Sequence, residues 1–168
     1  MKNKEVAESI VSCTEELEGI KAFIVGNGEG ARPTPYLKKY AVMRATGCIE
    51  VGFKQIVADR VDLDSEIHIK NFIKRKVRDS STNPRLGAIE SMLSEFDDRW
   101  RGRFDELMGL ADKPRLKGAL TNLVDARNEF AHGGNPALDI EKIIQNFKDS
   151  IEVLKALDNC VSYDYDQE

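Results

Sequence analysis

The sequence predicts an all-α fold, an antiparallel helical bundle with a helical insertion, and three observations carry that prediction. Long segments space their apolar residues three and four apart, as in Val6, Ile10, Cys13, Leu17, Ile20 and Ile24, which is the period of one helix face. Runs of β-branched residues alternating with polar ones, the mark of half-buried strands, are missing. The helical segments are joined by short stretches rich in glycine, proline and serine, and helices with short connections pack as antiparallel neighbours. With 168 residues, 41% of them hydrophobic, a single domain over 1–168 is expected to build its own core.

In chain order, a first helix is expected from Lys4 to Val25, stopping at Gly26-Asn27-Gly28-Glu29-Gly30. Arg32-Pro33-Thr34-Pro35 should stay extended, because proline disfavours helix in the residue before it. A second helix, Tyr36 to Arg60, holds the least polar stretch: between Lys39 and Lys54 its only charges are Arg44 and Glu50. A third is expected over Asp64 to Arg78, capped by Asp64 or Ser65, with Ile67, Ile69, Phe72, Ile73 and Val77 as packing residues. After the loop Ser80-Ser81-Thr82-Asn83-Pro84, the charged segment Leu86 to Leu110 reads as helix with a break near Arg101-Gly102, and residues 86–112 form the insertion. Lys113-Pro114 opens the next helix, since proline is tolerated in a first turn. A final helix, Leu138 to Val161, carries Ile140, Ile144, Phe147, Ile151 and Leu154, and the acidic tail 162–168 is expected to fray.

Composition removes several function classes. A net charge of -4 argues against coating nucleic acid by electrostatics alone, which draws its affinity from many Lys and Arg contacts to phosphate. Basic residues nonetheless cluster at Lys70, Lys74, Arg75, Lys76 and Arg78, at Arg99, Arg101 and Arg103, and at Lys113, Arg115 and Lys117. Cys13, Cys48 and Cys160 are odd in number and sit in apolar periodic stretches, so they read as reduced core thiols of a cytoplasmic protein. No window approaches the roughly 18 uninterrupted apolar residues of a membrane span. The glycine-rich Gly26 to Gly30 lacks the Gly-Lys-Ser/Thr ending of a phosphate loop and follows a helix, so it reads as a linker. His68 has no cysteine or second histidine beside it, no metal site is signalled, and no cofactor is expected.

Chemistry concentrates where the helix after Pro114 ends. Leu116, Leu120, Leu123, Val124, Phe130 and Ala131 form an apolar stripe at about 100° per residue, with Arg127 close to its centre. A guanidinium placed there needs a carboxylate, a phosphate or a wet cleft, and Glu50 is the internal candidate. Arg44 and Glu50 are expected to form a buried pair. Asn128 and His132 lie one turn apart, so the amide can orient the imidazole. Arg127 and His132 are about 140° apart in azimuth and roughly 7.5 Å apart along the axis, so one helix does not join them. A two-fold partner would bring two copies of each into one cleft. Gly133-Gly134 ends the helix beside the histidine, where the macrodipole favours imidazolium. RNA carries its own nucleophile, so its cleavage needs a base, an acid and a cation, and Arg127 with two copies of His132 supplies all three without metal.

Ala126-Arg127-Asn128-Glu129-Phe130-Ala131-His132-Gly133 resembles the signature of the HEPN family, an arginine, a polar residue and then a histidine near a helix end. Arg44-Ala45-Thr46-Gly47 and the order of helices resemble its RiboL-PSP branch. The resemblance implies a HEPN-like bundle that forms a homodimer and cleaves RNA in the cleft between protomers, often as a toxin or antiviral effector. Carried over by position, Arg127 and His132 are the catalytic pair and Asn128 supports them; Arg44 and Glu50, the lone charges of the apolar stretch, are the other supporting residues expected. An antitoxin or a nucleotidyltransferase is the implied protein partner. The alternative is a catalytically silent HEPN module that uses the same cleft to bind a nucleotide or such a partner.

Overall fold

The computed structural model describes residues 1–63, 65–134 and 138–165, and no β-strand occurs among them. Helix α1 spans Lys4–Asn27, α2 Thr34–Asp62, α3 Ile67–Ile73 and α4 Leu86–Phe96; α5 spans Asp98–Leu110, α6 Lys113–Ala131 and α7 Ile140–Val161. The all-α bundle read from the apolar spacing is therefore the fold.

Local chemistry sets the boundaries. The Asn3 side chain accepts the Val6 N–H at the start of α1, and Gly28, at φ 86°, ends it by donating to the Ile24 carbonyl. Helix α2 begins at Thr34, earlier than expected, because Pro35 falls in its first turn, where a missing N–H costs nothing. The long insertion helix is broken at Asp97 rather than at Arg101-Gly102. Asp97 turns to an extended conformation and its carboxylate accepts the Arg99 N–H at 2.8 Å, so a cap outweighs the weak helix propensity of Gly102.

Helix α7 is the centre of the bundle, packing on α2, α6, α1 and α5. Phe53, Phe104 and Phe147 are fully buried, and α4 and α5 contribute Leu86, Ile89, Leu93, Trp100, Phe104 and Met108 to the same core. Cys13, Cys48 and Cys160 are buried free thiols. Among the described residues, no helix is long and apolar enough to cross a membrane.

Two expectations are corrected here. Helix α3 starts at Ile67, and the Ser65 hydroxyl bonds back to the Val61 carbonyl at 2.6 Å instead of capping; Asp64 lies outside the described residues. Of its proposed packing residues only Ile73 and Val77 are buried, whereas Ile67, Ile69 and Phe72 are exposed. The tail also packs down as far as Tyr165: its hydroxyl donates to the Cys160 carbonyl at 2.8 Å, and the Arg103 guanidinium stacks 3.6 Å from the Tyr163 ring centre. Residues 166–168 of the tail lie outside the described residues.

Candidate active site at the end of helix α6

Helix α6 is set by the cap Asp112, which accepts the Arg115 N–H at 3.1 Å, and by the buried seam Leu116, Ala119, Leu120, Leu123, Val124 and Ala126. That seam turns away before the end of the helix, leaving Phe130 half-buried and Ala131 exposed. Arg127 consequently sits at the edge of the seam, 34% exposed, and not at its centre as the periodicity predicts. The Thr46 hydroxyl lies 3.2 Å from the Leu123 carbonyl and ties α2 to the same helix.

The helix ends in a Schellman arrangement. Gly134 donates to the Glu129 carbonyl and Gly133 to the Phe130 carbonyl, both at 2.9 Å, with Gly133 at φ 85°. A Cβ on Gly134 would fall 2.9 Å from the Glu129 carbonyl oxygen, so that position excludes side chains. These two glycines hold His132 as the capping residue, its backbone N–H bonded to the Asn128 carbonyl at 3.0 Å and the residue as a whole exposed.

The Arg127 side chain meets α2 and the loop that precedes α4. Its Nη1 donates to the Asn83 Oδ1 at 3.1 Å and to the Asn128 Oδ1 at 3.5 Å, and Nη2 stands 3.9 Å from the Glu50 carboxylate. That carboxylate has a closer partner, Lys54 Nζ at 2.7 Å. The buried Lys54 ammonium also donates to the Ser80 carbonyl, so it joins α2 to the loop that delivers Asn83. Glu50 is thus shared between Lys54 and the more distant Arg127, whose other two acceptors are neutral amide oxygens. Lys39 adds a second cation, 5.3 Å from the Phe130 ring centre in the last turn of α6.

Two second-order expectations fail on geometry. Arg44 does not pair with Glu50; its Nε and Nη2 bind the Glu16 carboxylate at 3.0–3.1 Å. Residues six apart on α2 differ by about 120° in azimuth and roughly 9 Å along the axis, so Arg44 faces α1 while Glu50 faces α6. The Arg44 hydrogen bonds, with a further one from the Tyr40 hydroxyl, hold the Glu16 carboxyl below the usual carboxylate range. Asn128 turns its side-chain oxygen to Arg127 and supports the arginine instead of the imidazole. Asn83 is the site residue that sequence reasoning misses, since an asparagine in a Ser-Ser-Thr-Asn-Pro loop carries no periodic signal. Among the described residues, no three His, Cys, Asp or Glu side chains converge as a ligand set.

With the helical order and this site in place, the class is that of the HEPN domains, all-α bundles that commonly cleave RNA or bind nucleotides. The profile of the RiboL-PSP-HEPN family matches residues 8–163, and the chain belongs to that family. Comparison with curated proteins and with solved structures gave no match.

Proposed function

We propose that the protein is a metal-independent endoribonuclease whose site is completed by a second copy of the chain, acting as a toxin or defence effector. The observation that carries this reading is a half-exposed Arg127, held by amide oxygens and only loosely by an acid, on the same helix end as an exposed His132. Within one protomer the guanidinium is held by Asn83, Asn128 and Glu50, and among the described residues no hydrogen bond joins it to His132. A two-fold partner supplies what a single helix does not. The exposed stripe Tyr36, Tyr40, Met43 and Val51 on α2 supports that partner, because it runs beside the residues, Lys39, Thr46 and Glu50, that meet α6.

In the proposed reaction one His132 accepts the proton of a 2′-hydroxyl, whose oxygen attacks the adjacent phosphorus. The P–O5′ bond breaks, the other His132 protonates the departing 5′-oxygen, and Arg127 stabilises the charge on the phosphorane oxygens. The products are a 2′,3′-cyclic phosphate and a 5′-hydroxyl, with no water or metal consumed. Incubation of the purified protein with mixed RNA in excess EDTA should yield those ends. Intact RNA, or 5′-phosphate ends, would overturn the reading.

A further inference from the structure

We propose that α3 and the turn that follows it form a docking arm for single-stranded RNA, outside the Arg127 site. The inference rests on the ribonuclease reading for its substrate class and on separate observations for its place. Lys74–Arg78 continues α3 as a π-helical turn, closed by the Asp79 N–H on the Lys74 carbonyl at 2.9 Å. The wide turn leaves Ile73 and Val77 buried as anchors, and Arg78 is pinned to Asp59 and Asp62 on α2 at 2.6 and 2.8 Å. Everything between these anchors faces outward.

What faces outward is unusual for this chain. From Lys70 to Arg78 there are five cations and no acid in a protein of net charge -4. The other basic clusters are largely spent on their own acids or rings: Arg101 and Lys113 bind Glu90 and Asp105, Arg115 binds Asp149 and Glu152, and Arg103 stacks on Tyr163. Lys70, Arg75 and Lys76 are exposed and make no ion pair among the described residues. Interleaved with them are exposed apolar side chains, Ile67 at 72% and Phe72 at 57%. Unpaired cations and an exposed aromatic ring on one short segment match a polyanion with stackable bases, which binds by phosphate contacts and by base–aromatic stacking.

The arm is also joined to the site. The loop that leaves it carries Ser80, which accepts from Lys54, and Asn83, which accepts from Arg127. The segment proposed to hold the strand is thus continuous with the loop that contacts the Arg127 guanidinium.

Fluorescence anisotropy with a labelled 20-nucleotide oligouridylate, using the full chain carrying His132→Ala to prevent cleavage, tests the arm directly. Lys70→Glu, Arg75→Glu and Lys76→Glu together should weaken binding at least tenfold at low salt and flatten the log–log salt slope by about two. Phe72→Ala should weaken it about fivefold or more with no change in slope. In the background that retains His132, the same arm variants should cleave a dinucleotide at the unaltered rate but long RNA more slowly. Unchanged affinity and slope would overturn the arm, as would selective loss of binding to phosphatidylserine vesicles or of the dimer in place of RNA. If the unmodified chain cuts no RNA in EDTA while the charge-reversed arm loses oligouridylate, the nuclease reading falls and the arm stands. If it cuts RNA and the arm variants bind and cut normally, the arm alone falls.

Discussion

Replacing His132 by alanine should lower RNA cleavage about a thousandfold, within the range of a lost general acid–base group, and move the melting temperature by no more than a degree or two. The small thermal effect follows from the residue's place: His132 is exposed, caps the helix through its backbone, and no described side-chain hydrogen bond holds it. Arg127→Ala should lose activity to a similar degree, because the cation facing the phosphorane is gone. Its effect on stability should stay within about 1 kcal/mol, since its ion pair spans 3.9 Å and Glu50 keeps Lys54. Cleavage assays in EDTA beside thermal melts separate the two effects. A His132→Ala protein that cuts RNA normally would remove the imidazole from the mechanism, and an Arg127→Ala protein that unfolds early would make the guanidinium a structural tie.

Phe53→Ala should produce the largest loss of stability, about 3–5 kcal/mol, the usual cost of emptying a buried aromatic site. Phe53 is wholly buried about two-thirds of the way along α2. Next to it, Gly52 lets two neighbours come close: a Cβ there would lie 3.0 Å from a Leu154 methyl on α7 and 3.3 Å from a Val6 methyl on α1. Helices packed that tightly have little room to collapse into the space a phenyl ring vacates. Against a total stability of about 5–15 kcal/mol for an ordinary domain, this change removes a large part. Urea unfolding should show it as a lower midpoint with an unaltered slope. A loss below about 1.5 kcal/mol would mean that α2 and α7 are looser than their geometry indicates.

The sequence carried the parts of this molecule that depend on local pattern. Apolar spacing along Ile140, Ile144, Phe147 and Leu154 picked out the central helix, and Gly133-Gly134 placed His132 at a helix end, where two glycines leave few alternatives. What depended on azimuth or on distant chain was not legible. Arg44 and Glu50 stand out together as the lone charges of an apolar stretch, yet their faces diverge and each takes a partner that the spacing does not name. Asn83 reaches Arg127 across 44 positions of sequence. The break at Asp97 has a local signal, an aspartate two residues before the N–H it accepts, but it competes with the weak helix propensity of Gly102 nearby. The exposed face of α3 escapes the sequence for a related reason: helical spacing predicts a common face without saying that anything covers it.

Mixed dimers test most directly whether the proposed cleft needs both protomers. Arg127→Ala and His132→Ala chains, each inactive alone, should be co-expressed with different tags and the doubly tagged species isolated. Each such dimer keeps one native arginine and one native histidine, on opposite protomers. RNA cleavage in EDTA should reappear above either parent, and stay below the native dimer because only one of the two histidines remains, if those two residues act across the two-fold. Mixed dimers that form stably and remain as silent as their parents would contradict it.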